Sequence, residues 1–184
     1  GYLIGCGIPG VADGVHHYVS RDHALEHRCP AAAPLPAGAF LLGLSSIHWR
    51  EAWKYGERAF RYCQHDAGHA LAAARYAAAT LGWSARLLDA PGDDDIAALL
   101  GLDRAEELGE AERELPEALV LIGSSVGGEQ WAVGSRSGRG SFLPTAAPGC
   151  ASCPVDLEGL VAATSRGIWR GAPNRLSDEH HPWP

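Results

Sequence analysis

The chain has 184 residues, 46% apolar and 20% charged, with a net charge of −7 and a pI near 5.7. That length suits one domain with a real core, and the balance excludes wholesale disorder and a fibrous protein. No stretch approaches ~18 consecutive apolar residues, which excludes a membrane-spanning helix, and the acidic charge gives no general pull toward nucleic acid or anionic lipid.

The chain opens Gly1-Tyr2-Leu3-Ile4-Gly5, without a basic stretch followed by an apolar run and a cleavage site. Tyr2-Leu3-Ile4 reads as the end of a core strand that entered from upstream. Residues 2–8 and 15–19 are short apolar runs separated by the turn pairs Pro9-Gly10 and Asp13-Gly14, so a hairpin or meander is expected. Residues 21–28 read as a polar turn and 30–38 as a Pro-rich loop before a buried strand at 40–46. Trp53, Phe60, Ala67, Ala70, Leu71, Ala74, Ala78 and Leu81 then recur at helical steps. The spacing predicts a helix near 48–55 and a second over about 57–81, stopped by Gly82. The second is expected to be the buried central helix. Its small face, Ala67, Ala70, Ala74 and Ala78, is expected to pack on another helix across a subunit boundary.

A strand over 83–88, a turn at 89–92 and a short helix over 93–100 follow, the helix with Asp93, Asp94 and Asp95 at its positive end and Gly101 at its stop. Residues 104–115 are acidic and, with the Gly-rich stretch 123–154, are expected to be the most mobile. Residues 119–123 read as a buried strand and 157–163 as a helical stub. The chain closes His180-His181-Pro182-Trp183-Pro184, a linker-like segment, so a piece of a longer polypeptide is expected. Five Cys at irregular spacing argue against a disulfide scaffold and for a reducing cytoplasm.

The densest polar stretch runs from Lys54 to His69. At helical spacing Lys54, Arg58 and Arg61 share a face, which suits a phosphate held by charge-assisted hydrogen bonds. The plain alternative is a solvated face with a Glu57–Arg61 ion pair. His65 and His69 have metal-ligand spacing, but the Glu of a zinc protease helix is missing and no third ligand is placed. A buried His69 bonded to a carbonyl is expected instead. Cys150 and Cys153 form a single CxxC, which with His180 and His181 could make a zinc site, or be two ordinary thiols or a disulfide. The run from Gly123 to Gly128 lacks a phosphate-loop GK[ST], and no Ser sits in a G-x-S-x-G elbow.

The stretch His48-Trp49-Arg50-Glu51-Ala52-Trp53-Lys54-Tyr55-Gly56-Glu57-Arg58-Ala59-Phe60-Arg61-Tyr62-Cys63, with Asp66-Ala67-Gly68-His69-Ala70 and Ala79-Thr80-Leu81-Gly82-Trp83, resembles the flavin-dependent nitroreductase superfamily. The SagB/ThcOx-type dehydrogenase branch, some of whose members oxidise azolines, is the most similar. His17-Tyr18 with residues 21–26, and residues 116–123, agree with it. Asn174-Arg175-Leu176-Ser177 resembles the junction in members built from two tandem copies.

The resemblance implies an α+β fold, a mixed sheet flanked by helices, present here as an incomplete unit. It implies a partial domain over 1–172 and a linker at 173–184 toward a second copy. It implies a homodimer or pseudo-dimer with FMN at the interface, two-electron transfer, a small-molecule or peptide substrate, and no nucleic-acid or membrane partner. FMN is expected over FAD because no dinucleotide fingerprint follows a strand. Arg58 and Arg61 are expected to hold its phosphate. The turn Leu88-Asp89-Ala90 is expected to supply the shelf and backbone N–H groups for the ring, with the Asp89 carboxylate turned away. The catalytic residues are not assigned and no metal is expected. The family's Arg-rich segment has no match here, and Ala72-Ala73 replaces a Gln-Asn pair common in relatives. Three readings therefore stand: an FMN oxidoreductase half-unit, a non-catalytic half that dimerises or clasps a peptide, and a zinc-binding module.

Overall fold

The computed structural model describes residues 1–31, 35–104, 106 and 112–124. The elements run β1 (Tyr2–Gly5), β2 (Gly14–Val19), β3 (Ala24–Cys29), β4 (Ala39–Ser46), α1 (His48–Tyr55), a 3-10 turn (Gly56–Arg58), α2 (Ala59–Thr80), β5 (Ser84–Leu88), α3 (Asp93–Leu100) and β6 (Leu115–Gly123). The strands form one sheet in the order β3-β2-β1-β4-β6-β5.

The fold is α+β, a sheet flanked by helices, as expected. The sheet is not mixed among the described residues, because every pairing is antiparallel. Helix α2 returns the chain so that β5 pairs with β6 and not with β4. The expected polar turn over 21–28 is also corrected. Most of it is strand β3, whose polar side chains suit the outer strand of the described sheet. The turn itself shrinks to residues 20–23.

Alternation along β4 and β6 sends apolar side chains to both faces. Leu41, Leu119 and Leu121 join Tyr2, Ile4 and Val15 under Ile96, Leu99 and Leu100 of α3. Val120 and Ile122, with Phe40, Leu42 and Ala85, meet Leu71, Ala74 and Ala78 of α2. Gly43 lets α3 approach, since a Cβ there would lie 2.6 Å from Leu100 Cδ2. The α3 boundaries agree with expectation. The Asp95 carboxylate accepts from the Gly92 N–H at 3.1 Å, and Gly101 closes the helix at φ 73°.

Helix α2 has the expected extent but not the expected burial. Only Ala59, Cys63 and Ala78 are buried, and Ala74 and Ala78 of the small face rest, with Leu71, on the sheet of its own chain. The periodicity located the face correctly; what it faces follows from β4 and β6 offering an apolar surface. Ala74→Leu is expected to overpack this helix–sheet contact and lower stability by roughly 1–3 kcal/mol, read by urea denaturation.

The acidic segment expected to be mobile is anchored where it is described. Arg50 donates to Glu112, while Tyr2 and Ser45 donate to the buried Glu114. The CxxC, the Gly-rich stretch beyond Ser124, the stub and the linker lie outside the described residues. No helix among the described residues is long and apolar enough to cross a membrane.

Candidate functional site

Helix α1 has no buried residue. Its eight residues would be marginal alone, so tertiary ties hold it. Trp49 and Trp53 are 64% and 73% exposed, Phe60 63% and Tyr76 71%. Trp49 and Trp53, one turn apart, form an exposed apolar stripe on α1, and Leu81, Trp83 and Leu87 are exposed as well. Tyr55 meets Tyr62 at 4.6 Å and His48 meets Phe60 edge-on at 5.8 Å.

Two of the expected site residues stand where α1 passes into α2. The backbone turns at Gly56 with φ 58°, a conformation that favours glycine, and this separates α1 from α2. Arg58 caps α2 and Arg61 lies in its first turn, both exposed. Neither has an ion pair or side-chain hydrogen bond among the described residues, so the alternative Glu57–Arg61 pair is not formed. The first turn of this 22-residue helix holds no acidic residue and no side-chain cap. Its positive end and two guanidiniums therefore make a donor set suited to a phosphate dianion. Lys54 is not part of it. Its Nζ lies 5.0 Å over its own neighbour Tyr55.

The other expected residues lie elsewhere. Leu88 ends β5, half-buried against the core, and Asp89 and Ala90 are exposed in the turn to α3. Register relates the two groups. Leu88 pairs with Leu119, two residues from Glu117, and Glu117 accepts from Gln64 of α2 at 2.7 Å. Arg61 is one helical turn before Gln64. Counting rises along strand and helix, the turn and Arg61 are about 11 Å apart along the sheet. Leu88, Asp89 and Ala90 thus form one group, opposite the middle of β6, and Arg58 and Arg61 a second at the start of α2.

Between these groups lies a constellation to which sequence reasoning gave no role. Glu117 Oε1 bonds His48 Nε2 at 3.0 Å, and Glu117 Oε2 accepts from Gln64. The Glu117 side chain is only 6% exposed. Buried Cys63 lies nearby, its thiol pushed up by burial and by the carboxylates of Glu51 and Glu117. That makes it a poor nucleophile. Pro116 was the available signal. Proline in an inner strand marks a bulge, and the register skips Glu117 between Leu44↔Ala118 and Ser45↔Pro116.

On the other face, burial first and then Glu114 push the Tyr2 hydroxyl far above the usual phenol range. His17, at 5.2 Å from that ring, is pushed down to about 4, first by burial and next by the N-terminal amine. His69 departs from expectation. It is exposed, with Nδ1 3.7 Å from Asp66 Oδ1, because it lies on the outer side of α2.

No protein-family model matches the chain, and no curated protein matches it. Among solved structures, a protein from Anabaena variabilis described as a nitroreductase superposes with a TM-score of 0.53 at 22% identity, over 66% of this chain and 26% of that one. The likeness establishes the fold. The chain spans about a quarter of the length of the structure it matches.

Proposed function

We propose that this chain is part of a nitroreductase-type oxidoreductase that uses FMN, of the SagB/ThcOx azoline-dehydrogenase kind, in which it forms one side of a flavin site completed by a second unit. The observation that carries the reading is the pair of guanidiniums, without an ion pair among the described residues, at a helix start with no side-chain cap, on a fold shared with a nitroreductase. FMN supplies two-electron transfer at its N5 when bound. Arg58 and Arg61 hold and orient its phosphate. The Leu88-Asp89-Ala90 turn borders the ring, and the exposed Asp89 carboxylate stays in water, away from it. The exposed Trp49 and Trp53 of α1 exclude water from the site when the second unit, in a homodimer or a tandem pseudo-dimer, closes over it. The substrate is a small molecule or peptide.

Titration of the intact protein with FMN tests this. Saturable quenching of flavin fluorescence is expected, and Arg58→Ala should weaken binding by roughly 1.5–3 kcal/mol. The isolated 184-residue piece should bind weakly or not at all. No quenching by the intact protein would overturn the flavin reading. The exposed aromatic stripe of α1 then favours a second reading, a non-catalytic half that pairs with a partner unit.

A further inference from the structure

We infer that Glu117 is a positioning residue that fixes the cationic edge of α2 relative to the β5 turn. The inference rests on the flavin reading above. Its ground is a departure from strand geometry. In regular alternation Val120, Ile122 and Ala118 face α2, and residue 117 would face α3. The register shift against β4 makes Glu117 the extra residue of a bulge. A bulge re-aims a side chain without moving the strand that carries it. Here it turns a carboxylate toward the helices, where its two oxygens take one donor from each: His48 at the first residue of α1 and Gln64 in α2.

The two donors bracket the segment that carries Arg58 and Arg61. With His48 and Gln64 held by one buried carboxylate, the α1–turn–α2 path cannot slide along the sheet. The β5 turn is tied to the same strand, since Leu88 pairs with Leu119. One strand therefore sets both groups of the proposed site. Another polar tie of α1, Arg50 to Glu112, is exposed and contributes less. Glu117 does not touch the cofactor in this arrangement; it acts through Arg58 and Arg61.

A double-mutant cycle in the intact protein tests the inference, with the FMN dissociation constant, the visible spectrum of bound flavin and the melting temperature as readouts. Glu117→Ala is expected to weaken FMN binding by ~10-fold or more, as a small displacement of holding groups does. Gln64→Ala, at an exposed position, removes one donor and should fold even if Glu117→Ala does not. Its binding loss should be smaller but in the same direction. Either change combined with Arg58→Ala should weaken binding by less than the product of the two separate losses, because the carboxylate acts in part through Arg58. A role confined to overall stability would lower the melting temperature and leave binding by the folded fraction unchanged. That result, or losses that multiply, overturns the inference while the Arg58→Ala loss keeps the flavin reading standing. If Arg58→Ala binds FMN like the wild type, the flavin reading fails first and the inference falls with it.

Discussion

Gly14→Ala is expected to lower stability by about 3 kcal/mol or more, a large fraction of what a domain of this size holds. Two independent penalties meet at this residue. Its φ of 140° is one that L side chains rarely adopt, and a Cβ would lie 2.1 Å from the Cys29 carbonyl oxygen. The obstacle is backbone, so no rotamer change relieves it. The carbonyl belongs to β3, which pairs with β2 next to the register shift between Val15 and His16. His27 Nε2 would also be 2.7 Å away. Urea denaturation of the alanine variant checks the prediction, and a midpoint unchanged from wild type contradicts it.

Acidification from pH 7 toward 4 is expected to remove on the order of 2 kcal/mol through His17, allowing for the part of the ring that water reaches. The folded value of about 4 lies below the ordinary 6.5, so between these limits the unfolded chain binds more protons than the native one. Stability therefore falls with pH across that window and is insensitive to this group below it. Burial is the main cause. The N-terminal amine and Arg28 add to it, and Glu26, 3.9 Å from Nδ1, opposes them. Tyr2, whose hydroxyl donates to Glu114, completes the surroundings. His16, also pushed down by burial, contributes in the same sense. His17→Gln should flatten the dependence of the urea midpoint on pH between 6.5 and 4. An equal slope in both proteins assigns the acid sensitivity elsewhere.

The helices were legible because their signals are local. Periodicity, Gly56 and Gly101 placed α1, α2 and α3 within a few residues. The central strands were legible because β4 and β6 are apolar on both faces. Strand β3 was not. Ala24 to Cys29 carries Glu26, His27 and Arg28, and only pairing with β2 makes it a strand. The surroundings of α2 were not legible either, since Ala67, Ala70 and Ala74 look alike whether they rest on a helix or on a sheet. For the site, Arg58 and Arg61 could be named from charge and spacing. Glu117 depends on a bulge against residues some seventy positions earlier, and Pro116 was its sole local trace.

The place of β6 has a consequence for how the chain comes off the ribosome. Although it is the last described strand made, it sits between β4 and β5 and supplies both faces of the centre. Until it emerges, β4 has one open edge and α2 has no complete floor. Translation of the roughly 80 residues from the end of β4 to the end of β6 takes about 4–15 s. For that interval the apolar run Phe40-Leu41-Leu42-Gly43-Leu44 is exposed as a sticky nascent strand. The helical hairpin made in the meantime can form locally, but it closes on the sheet only when Glu117 and Val120 arrive. Vectorial synthesis thus orders events that the finished fold presents as simultaneous, and it puts the burden of solubility on chaperones during those seconds.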